Sequence, residues 1–112
     1  MNDKLIEPVN QVIELLVAAK YADLEKLTHG VRLTANEIAK AVTDYGRKLI
    51  LPPHDGLRLM NVIEVKNTDP KRWSIVMPLW SKEEGRSDLT LEMTAIECAS
   101  SFSIELDDIH VL

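Results

Sequence analysis

The chain has 112 residues, of which 46% are hydrophobic and 28% are charged, a balance typical of one ordered globular domain. Its net charge of -5 is unevenly distributed, because residues 73–112 carry two basic side chains against eight acidic ones, a formal charge of -6. A surface this negative repels phosphate backbones, which argues against nucleic acid as a direct ligand and favours a basic partner.

The N-terminal segment lacks the pattern of a targeting or membrane segment. Its apolar run at residues 12–19 is interrupted by Glu14 and preceded by Asp3 and Glu7, whereas a signal peptide needs a basic start and an uninterrupted apolar stretch. No stretch approaches the roughly 20 apolar residues of a spanning helix. The single Cys98 cannot form an internal disulfide. The sequence therefore predicts a cytoplasmic protein that does not contact membranes.

Apolar spacing predicts two helices in the first 30 residues. Between residues 5 and 17 the apolar side chains recur at steps of three and four, which places them on one stripe of a helix. Pro8 is expected in the first turn of this helix, where its missing N–H matters least. After a bend, a second and shorter helix begins near Tyr21, and Gly30 is its predicted C-cap.

A third helix is predicted from its end signals as well as from its period. Thr34 and Glu37 have the spacing of a capping box, in which each side chain satisfies a backbone donor at the start of the helix. An apolar stripe follows, and Gly46 is expected to end the helix.

After Gly56 the apolar period changes from 3.6 to 2, which predicts strands. The predicted core-facing positions are Trp73, Ile75, Met77, Leu79, Leu89, Leu91, Met93, Ala95, Phe102, Ile104 and Leu106. An earlier strand is predicted at residues 57–65, which is apolar on both faces, so its buried face stays open. Pro78 is expected at an edge or a bulge, because it cannot donate to the ladder.

These elements predict one α+β domain over residues 1–112, helical at 1–46 and a β-meander at 57–112. Three helices would pack on one face of a four-stranded curved antiparallel sheet, in two layers. This order of elements resembles the cone-shaped folds of the nuclear-transport-factor-2 type and the cystatin-like two-layer arrangement. The resemblance implies a curved sheet that wraps around the helices.

Two stretches carry a second resemblance. The first is Pro78-Leu79-Trp80 followed by residues 84–92, Glu-Gly-Arg-Ser-Asp-Leu-Thr-Leu-Glu, and the second is the ending at residues 107–112, Asp-Asp-Ile-His-Val-Leu. Both look like a family of small bacterial domains of unknown function, and the similarity covers mainly the last 40 residues. That family implies no activity that could be transferred to this chain.

The loop at residues 80–88 is the first candidate binding surface. It combines a large aromatic side chain with both signs of charge, and Trp and Arg are enriched where binding energy concentrates. Its candidate binding residues are Trp80, Glu83, Glu84, Arg86 and Asp88. The alternative is a solvated hairpin loop, in which Arg86 and Asp88 pair with each other or with the backbone while Trp80 covers the end of the core.

The last two predicted strands supply the second candidate surface. Its candidate binding residues are Glu92, Glu105, Asp107, Asp108 and His110, near the face turned away from the core. Glu92 and Glu105 are the members that alternation places on that face, and Asp107, Asp108 and His110 follow close by in the sequence. Such a face could receive the basic surface of another protein, and the alternatives are a solvated acidic face or a catalytic carboxylate pair. No catalytic motif accompanies them, and a single histidine among carboxylates does not meet the requirement for a zinc site. We therefore expect no catalytic residue, no metal and no cofactor.

The favoured functional hypothesis is a non-enzymatic protein-binding module, most plausibly an acidic immunity-type protein that neutralises a basic, toxin-like domain. A second hypothesis is a small-molecule-binding or enzymatic protein with a pocket between helices and sheet, lined by Tyr45, His54 or Asp55. A third is an uncharacterised homodimeric domain that self-associates through an outward face with Val76, Trp80 and Ile96.

Overall fold

A computed structural model describes residues 3–53 and 55–112 of the chain. The helices are α1 (Ile6–Val17), α2 (Tyr21–Thr28) and α3 (Ala35–Tyr45), and the strands are β1 (Leu49–Ile50), β2 (Asn61–Val65), β3 (Arg72–Ser81), β4 (Gly85–Cys98) and β5 (Ser101–Val111). Short 3-10 helices lie at Asp3–Leu5 and Gly56–Leu59. The α+β fold predicted from the sequence, with helices before a curved antiparallel sheet, is confirmed.

The first two helices follow their predicted pattern closely. Pro8 lies in the first turn of α1, and the chain bends at Ala19, which has a left-handed φ of 59°. The C-cap of α2 is His29 rather than the predicted Gly30, because the left-handed turn begins one residue earlier, at a φ of 67°. Gly30 continues this turn with a φ of 60°.

The capping box at the start of α3 is present. The backbone N–H of Glu37 donates to the Thr34 hydroxyl at 3.3 Å, and the backbone N–H of Thr34 donates to the Glu37 carboxylate at 3.0 Å. The helix ends at Gly46, whose φ of 74° is left-handed. Both predicted end signals of this helix are therefore confirmed.

The sheet is built around β3. One edge of β3 pairs with β4, which in turn pairs with β5, and the other edge pairs with β2 and then with β1. All pairings are antiparallel. The sheet therefore has five strands rather than the predicted four, because the two-residue β1 pairs with Trp80 and Ser81 of β3.

The predicted strand at 57–65 is too long. Gly56–Leu59 forms a 3-10 helix, in which the Met60 N–H donates to the Leu57 carbonyl, and only Asn61–Val65 pairs with β3. The preceding turn, where the Gly56 N–H donates to Pro53, starts this helical segment. His54, a predicted pocket residue, lies outside the described residues.

The helices cover one face of the sheet and form a single core with it. Ile75, Met77, Leu91 and Met93 are at most 1% exposed, and they share the core with Val9, Val12, Leu16 and Ile38 from the helices. Of the eleven predicted core-facing side chains, Trp73 and Phe102 are half-buried and the other nine are buried. None of the helices in the described part of the chain is long and apolar enough to cross a membrane.

Two irregularities interrupt the ladders. Between Pro78 and Trp80 the register with β4 shifts, which places the proline beside a bulge, as its missing N–H requires. A second shift, between Glu92 and Met93, leaves Asp107 as an extra residue in β5. Bulges of this kind bend a strand and change the direction of its side chains.

Candidate functional site

The sheet has a second face, turned away from the helices, which we call the outer face. Cross-strand partners lie on the same face of a sheet, so the register identifies its members. On the β5 side these are Thr90, Glu92, Thr94, Glu105, Asp107, Asp108 and His110, and on the β2 side Asn61, Ile63, Val65, Arg72, Ser74 and Val76. All five predicted acidic-surface residues therefore lie on one face.

The centre of the acidic side is formed by Glu92, Asp108 and His110. Glu92 and Asp108 are direct cross-strand partners, and the His110 Nε2 contacts the Glu92 Oε2. This contact raises the pKa of His110 above its usual value, because the carboxylate of Glu92 stabilises the imidazolium, against an opposing effect of partial burial. Asp108 adds a smaller favourable charge.

The β5 bulge brings a further carboxylate to this cluster. Asp107 and Asp108 both lie opposite Glu92 because Asp107 is the extra residue of the strand. The Thr94 hydroxyl donates to the Asp107 carboxylate at 2.6 Å and fixes its direction. The residues that carry three carboxylates, Glu92, Asp107 and Asp108, are consequently neighbours on two adjacent strands.

Glu105 completes the acidic surface at one end. Its carboxylate lies 3.7 Å from the Arg72 guanidinium, across two strands, and its side chain is only 19% exposed. This pair neutralises Glu105 in part. The uncompensated negative charge of the outer face therefore concentrates at Glu92, Asp107 and Asp108, with His110 as the nearest titratable cation.

The same cluster contains the types of donor that bind divalent cations. One ligand atom from each of Glu92, Asp108 and His110 lies within 4.8 Å of the others. Two carboxylates and an imidazole are ligands that suit zinc or manganese. The three side chains are partly or fully exposed, and exposed acidic groups often approach one another in this way without binding a metal.

The structure places the five predicted loop residues in three different environments. Trp80 is only 8% exposed, and its indole lies against the turn at Gly56. The predicted placement of Trp80 on an outward contact face is therefore wrong, because the register shift after Pro78 and the pairing with Ile50 enclose it. Trp80 covers the end of the core, as the alternative interpretation of this loop proposed.

Glu83 and Glu84 connect the hairpin to the helical layer. Glu84 accepts hydrogen bonds from the Tyr45 hydroxyl at 2.7 Å and from the Ser81 hydroxyl at 2.9 Å. The Tyr45 hydrogen bond, with help from Ser81, lowers the pKa of Glu84, and the same bond raises the pKa of Tyr45. Glu83 accepts from the backbone N–H of Lys48 at 3.1 Å. The hydrogen bonds of Glu83 and Glu84 thus connect the hairpin to other residues of the same chain.

Arg86 and Asp88 instead border a groove on the outer face. The groove has a volume of about 350 Å³. Its apolar lining comes chiefly from Leu59, Val76, Pro78 and Leu112. Leu59 is 45% exposed and Leu112 is 85% exposed, so the groove is open to solvent.

The sequence predicts an outward position for Val76, but it does not identify Leu59, Ile63, Val65 or Leu112 as part of a surface. Ile63 is 58% exposed and Val65 39%, both on the outer face along β2, the strand whose Asn61 lines the groove. The available signal was that residues 57–65 are apolar on both faces, which a strand buried on one face does not need. In this segment the side chains of Leu59, Ile63 and Val65 remain exposed to solvent.

A comparison with protein-family models finds one match, a family described as a domain of unknown function, DUF7668, over residues 13–112. The chain belongs to this family. The matched region includes all three helices in whole or part and every strand, so membership extends well beyond the two stretches that suggested it. No curated protein and no solved structure gives a significant match.

Proposed function

We propose that this member of the DUF7668 family is a non-enzymatic protein-binding module whose outer face binds a basic protein. The observation that carries the proposal is the arrangement of this face, where Glu92, beside Asp107 and Asp108, is the cross-strand partner of Val76, which lines the apolar groove. Protein interfaces combine a desolvated apolar centre with a polar or charged rim. The outer face has both parts side by side.

Charge supports a basic partner. The last 40 residues carry a formal charge of -6, and the structure places five of the eight acidic side chains of this segment on the outer face, four on its acidic side and Asp88 at the groove. Complementary charge accelerates association and discriminates between partners, and both effects decrease as salt concentration rises. We therefore expect the interaction to be strongest at low ionic strength.

The most specific form of the proposal is an immunity-type protein, which neutralises a basic toxin domain in a bacterial cytoplasm. Its support is the combination of small size, acidic outer face and resemblance to small bacterial domains. Toxins that attack nucleic acid need basic surfaces, so an acidic inhibitor is their natural complement. The cone-like resemblance to nuclear-transport-factor-2 folds would make the sheet the framework of the binding surface.

A small-molecule-binding or enzymatic pocket protein is the alternative. Surface grooves of about 380 and 280 Å³ lie where α1 meets the start of β5, lined by Pro8, Gln11 and Phe102 among others. They share no residue with the predicted pocket at Tyr45 and Asp55. The core-facing strand positions are filled by packed apolar side chains, which favours a binding surface over an internal pocket.

Homodimerisation through the outer face has weaker support than binding of a different protein. Trp80, one of its three predicted contacts, is buried, whereas Val76 and Ile96 are half-buried. A two-fold dimer would also bring the acidic side of one copy near that of the other, and like charges in an interface are costly.

The test uses the product of the neighbouring gene as the candidate partner. We expect the full chain to bind this product at low salt and to relieve its toxicity when the two are co-expressed. The triple variant Glu92→Lys, Glu105→Lys and Asp107→Lys should weaken binding by two orders of magnitude or more, measured by calorimetry. Mutation of a buried charged contact commonly costs about 2–5 kcal/mol.

The matched control is Glu97→Lys. Glu97 is an exposed acidic residue of β4, and its cross-strand partner Phe102 lies on the core-facing side, so this variant changes charge away from the outer face. Unchanged binding by Glu97→Lys and lost binding by the triple variant would support the proposal. Equal affinity of the triple variant and the wild type would refute it.

A further inference from the structure

The groove on the outer face and the acidic cluster are parts of one surface. Val76 and Thr90 both line the groove, and each is the cross-strand partner of a cluster residue, Glu92 and His110 respectively. Adjacent strands are about 5 Å apart, so the groove and the cluster are separated by a single strand spacing. One short segment of a partner could contact both.

The groove exists because of two features of the ladder. β2 ends its pairing with β3 at Asn61 and Val76, and β1 resumes it only at Ile50 and Trp80. On the other edge of β3, three residues of β4 lie opposite Leu79 at the bulge. The missing strand and the bulge leave a depression beside Pro78.

The depression has an apolar floor and a charged rim. Leu59, Val76, Pro78 and Leu112 contribute to it, and Arg86 and Asp88 at its rim have opposite charges. The rim is therefore neutral, whereas the neighbouring cluster is negative. Binding energy in protein interfaces concentrates at large apolar side chains held in such depressions, with charged contacts around them.

From this juxtaposition we propose that the groove receives a large apolar side chain of the basic protein partner, and that an arginine or lysine close to it pairs with Glu92, Asp107 and Asp108. The inference rests on the proposed function and specifies the chemistry of the partner. Charge complementarity selects this occupant over a second copy of the chain, whose own outer face is acidic.

The experiment is a selection from a random displayed peptide library against the immobilised full chain. We expect the enriched peptides to share a large apolar residue with an arginine or lysine within a few positions. Synthetic peptides of the consensus would then be measured by fluorescence anisotropy against wild type, Val76→Thr with Leu112→Ser, and Glu92→Gln with Asp107→Asn. Circular dichroism would verify that each variant is folded.

The groove variant should weaken binding about tenfold or more, since burying one large apolar side chain is worth roughly 1.5–3 kcal/mol, and every 1.4 kcal/mol is a factor of ten. The carboxylate variant should weaken binding and reduce its dependence on salt. Val31→Thr is the control, because Val31 is an exposed apolar residue of the helical layer.

Three outcomes would overturn the inference. If basic peptides bound the groove variant as tightly as the wild type, the proposed apolar contact in the groove would be disproved, while the proposed function would stand. If the enriched peptides were apolar and lacked a basic residue, the proposed pairing with Glu92, Asp107 and Asp108 would be disproved. Absence of any enrichment would exclude a short segment as the occupant, and the charge-reversal experiment with the complete partner would still decide the proposed function.

Discussion

His110 supplies a positive charge to the acidic cluster when its imidazole is protonated. In the sequence it is a single histidine near the C-terminal end of an acidic stretch, with no ligand at a recognisable spacing. In the folded chain it contacts Glu92, which is 18 residues away and on another strand. Burial is partial for both side chains, 33% and 39% exposed, so the interaction is screened by solvent.

The raised pKa of His110 gives stability a dependence on pH. The unfolded value is about 6.5, so the stabilising effect is complete below that pH and is lost as pH rises through the higher folded value. Because both groups are partly exposed, we expect the effect to stay below about 1 kcal/mol. Urea unfolding of wild type and His110→Gln on either side of neutrality would measure the difference.

Titration of the His110 imidazole, followed by NMR, tests whether the contact with Glu92 raises its pKa. In Glu92→Gln the pKa of His110 should fall, because its largest stabilising contact is removed, whereas Asp108→Asn should have a smaller effect. An unchanged pKa of His110 in Glu92→Gln would contradict the assignment of this contact.

At the scale of elements, the β5 bulge determines what the outer face presents. Leu106 and Ile109 are both buried although they are three positions apart, which strict alternation does not allow. Because Asp107 is an extra residue in β5, Leu106 and Ile109 can both face the core, and Asp107 and Asp108 both lie on the outer face. The bulge therefore maintains the core while adding charge to the candidate site.

Deletion of Asp107 tests this account. Without it, Leu106, Asp108 and Ile109 would follow regular alternation, and both core side chains would keep their places opposite β4. We expect the free energy of unfolding to change by no more than about 1–2 kcal/mol, within the range of ordinary single mutations, while binding of a basic partner weakens. Urea unfolding and partner calorimetry would measure the two quantities.

A matched deletion of Leu106 provides the comparison. It removes a buried side chain as well as shifting the strand, so it should be far more destabilising. If deletion of Asp107 proved as destabilising as deletion of Leu106, the bulge would be required by the fold rather than by the surface.

At the scale of the whole molecule, helices and sheet share one apolar core. Ile38 of α3 is fully buried and belongs to the same apolar cluster as Leu91 and Met93 of the sheet. The hydrogen bonds from Tyr45 and from the Lys48 backbone to the β3–β4 hairpin link the layers at a second place. Neither layer can bury its apolar surface without the other.

Ile38→Ala should therefore destabilise both layers together. Removal of a buried isoleucine side chain typically costs about 2–5 kcal/mol. Far-UV circular dichroism and fluorescence of the two tryptophans, both in β3, should report coincident urea transitions at a lower midpoint. Ile63→Ala, at an exposed position, is the control and should have little effect. Separate transitions for helix and sheet signals would show that the layers unfold independently.

The sequence by itself determined the features that depend on local chemistry. The capping box at Thr34, the end of α3 at Gly46 and the alternation of the long strands follow from interactions within a few residues. The shared face of Glu92 and Glu105 followed from the same alternation. The boundary of β2 was less predictable, because the turn after Pro53 imposes a 3-10 helix on residues with strand-like composition.

Only the tertiary structure decided which distant residues meet. The burial of Trp80, the contact of His110 with Glu92 and the groove beside Pro78 depend on strand register and on two bulges. A shift of one or two residues in pairing changes these neighbours while leaving composition and local propensity unchanged. The acidic surface and the outward position of Val76 were therefore visible in the sequence, whereas the groove and the geometry that joins it to the acidic surface were not.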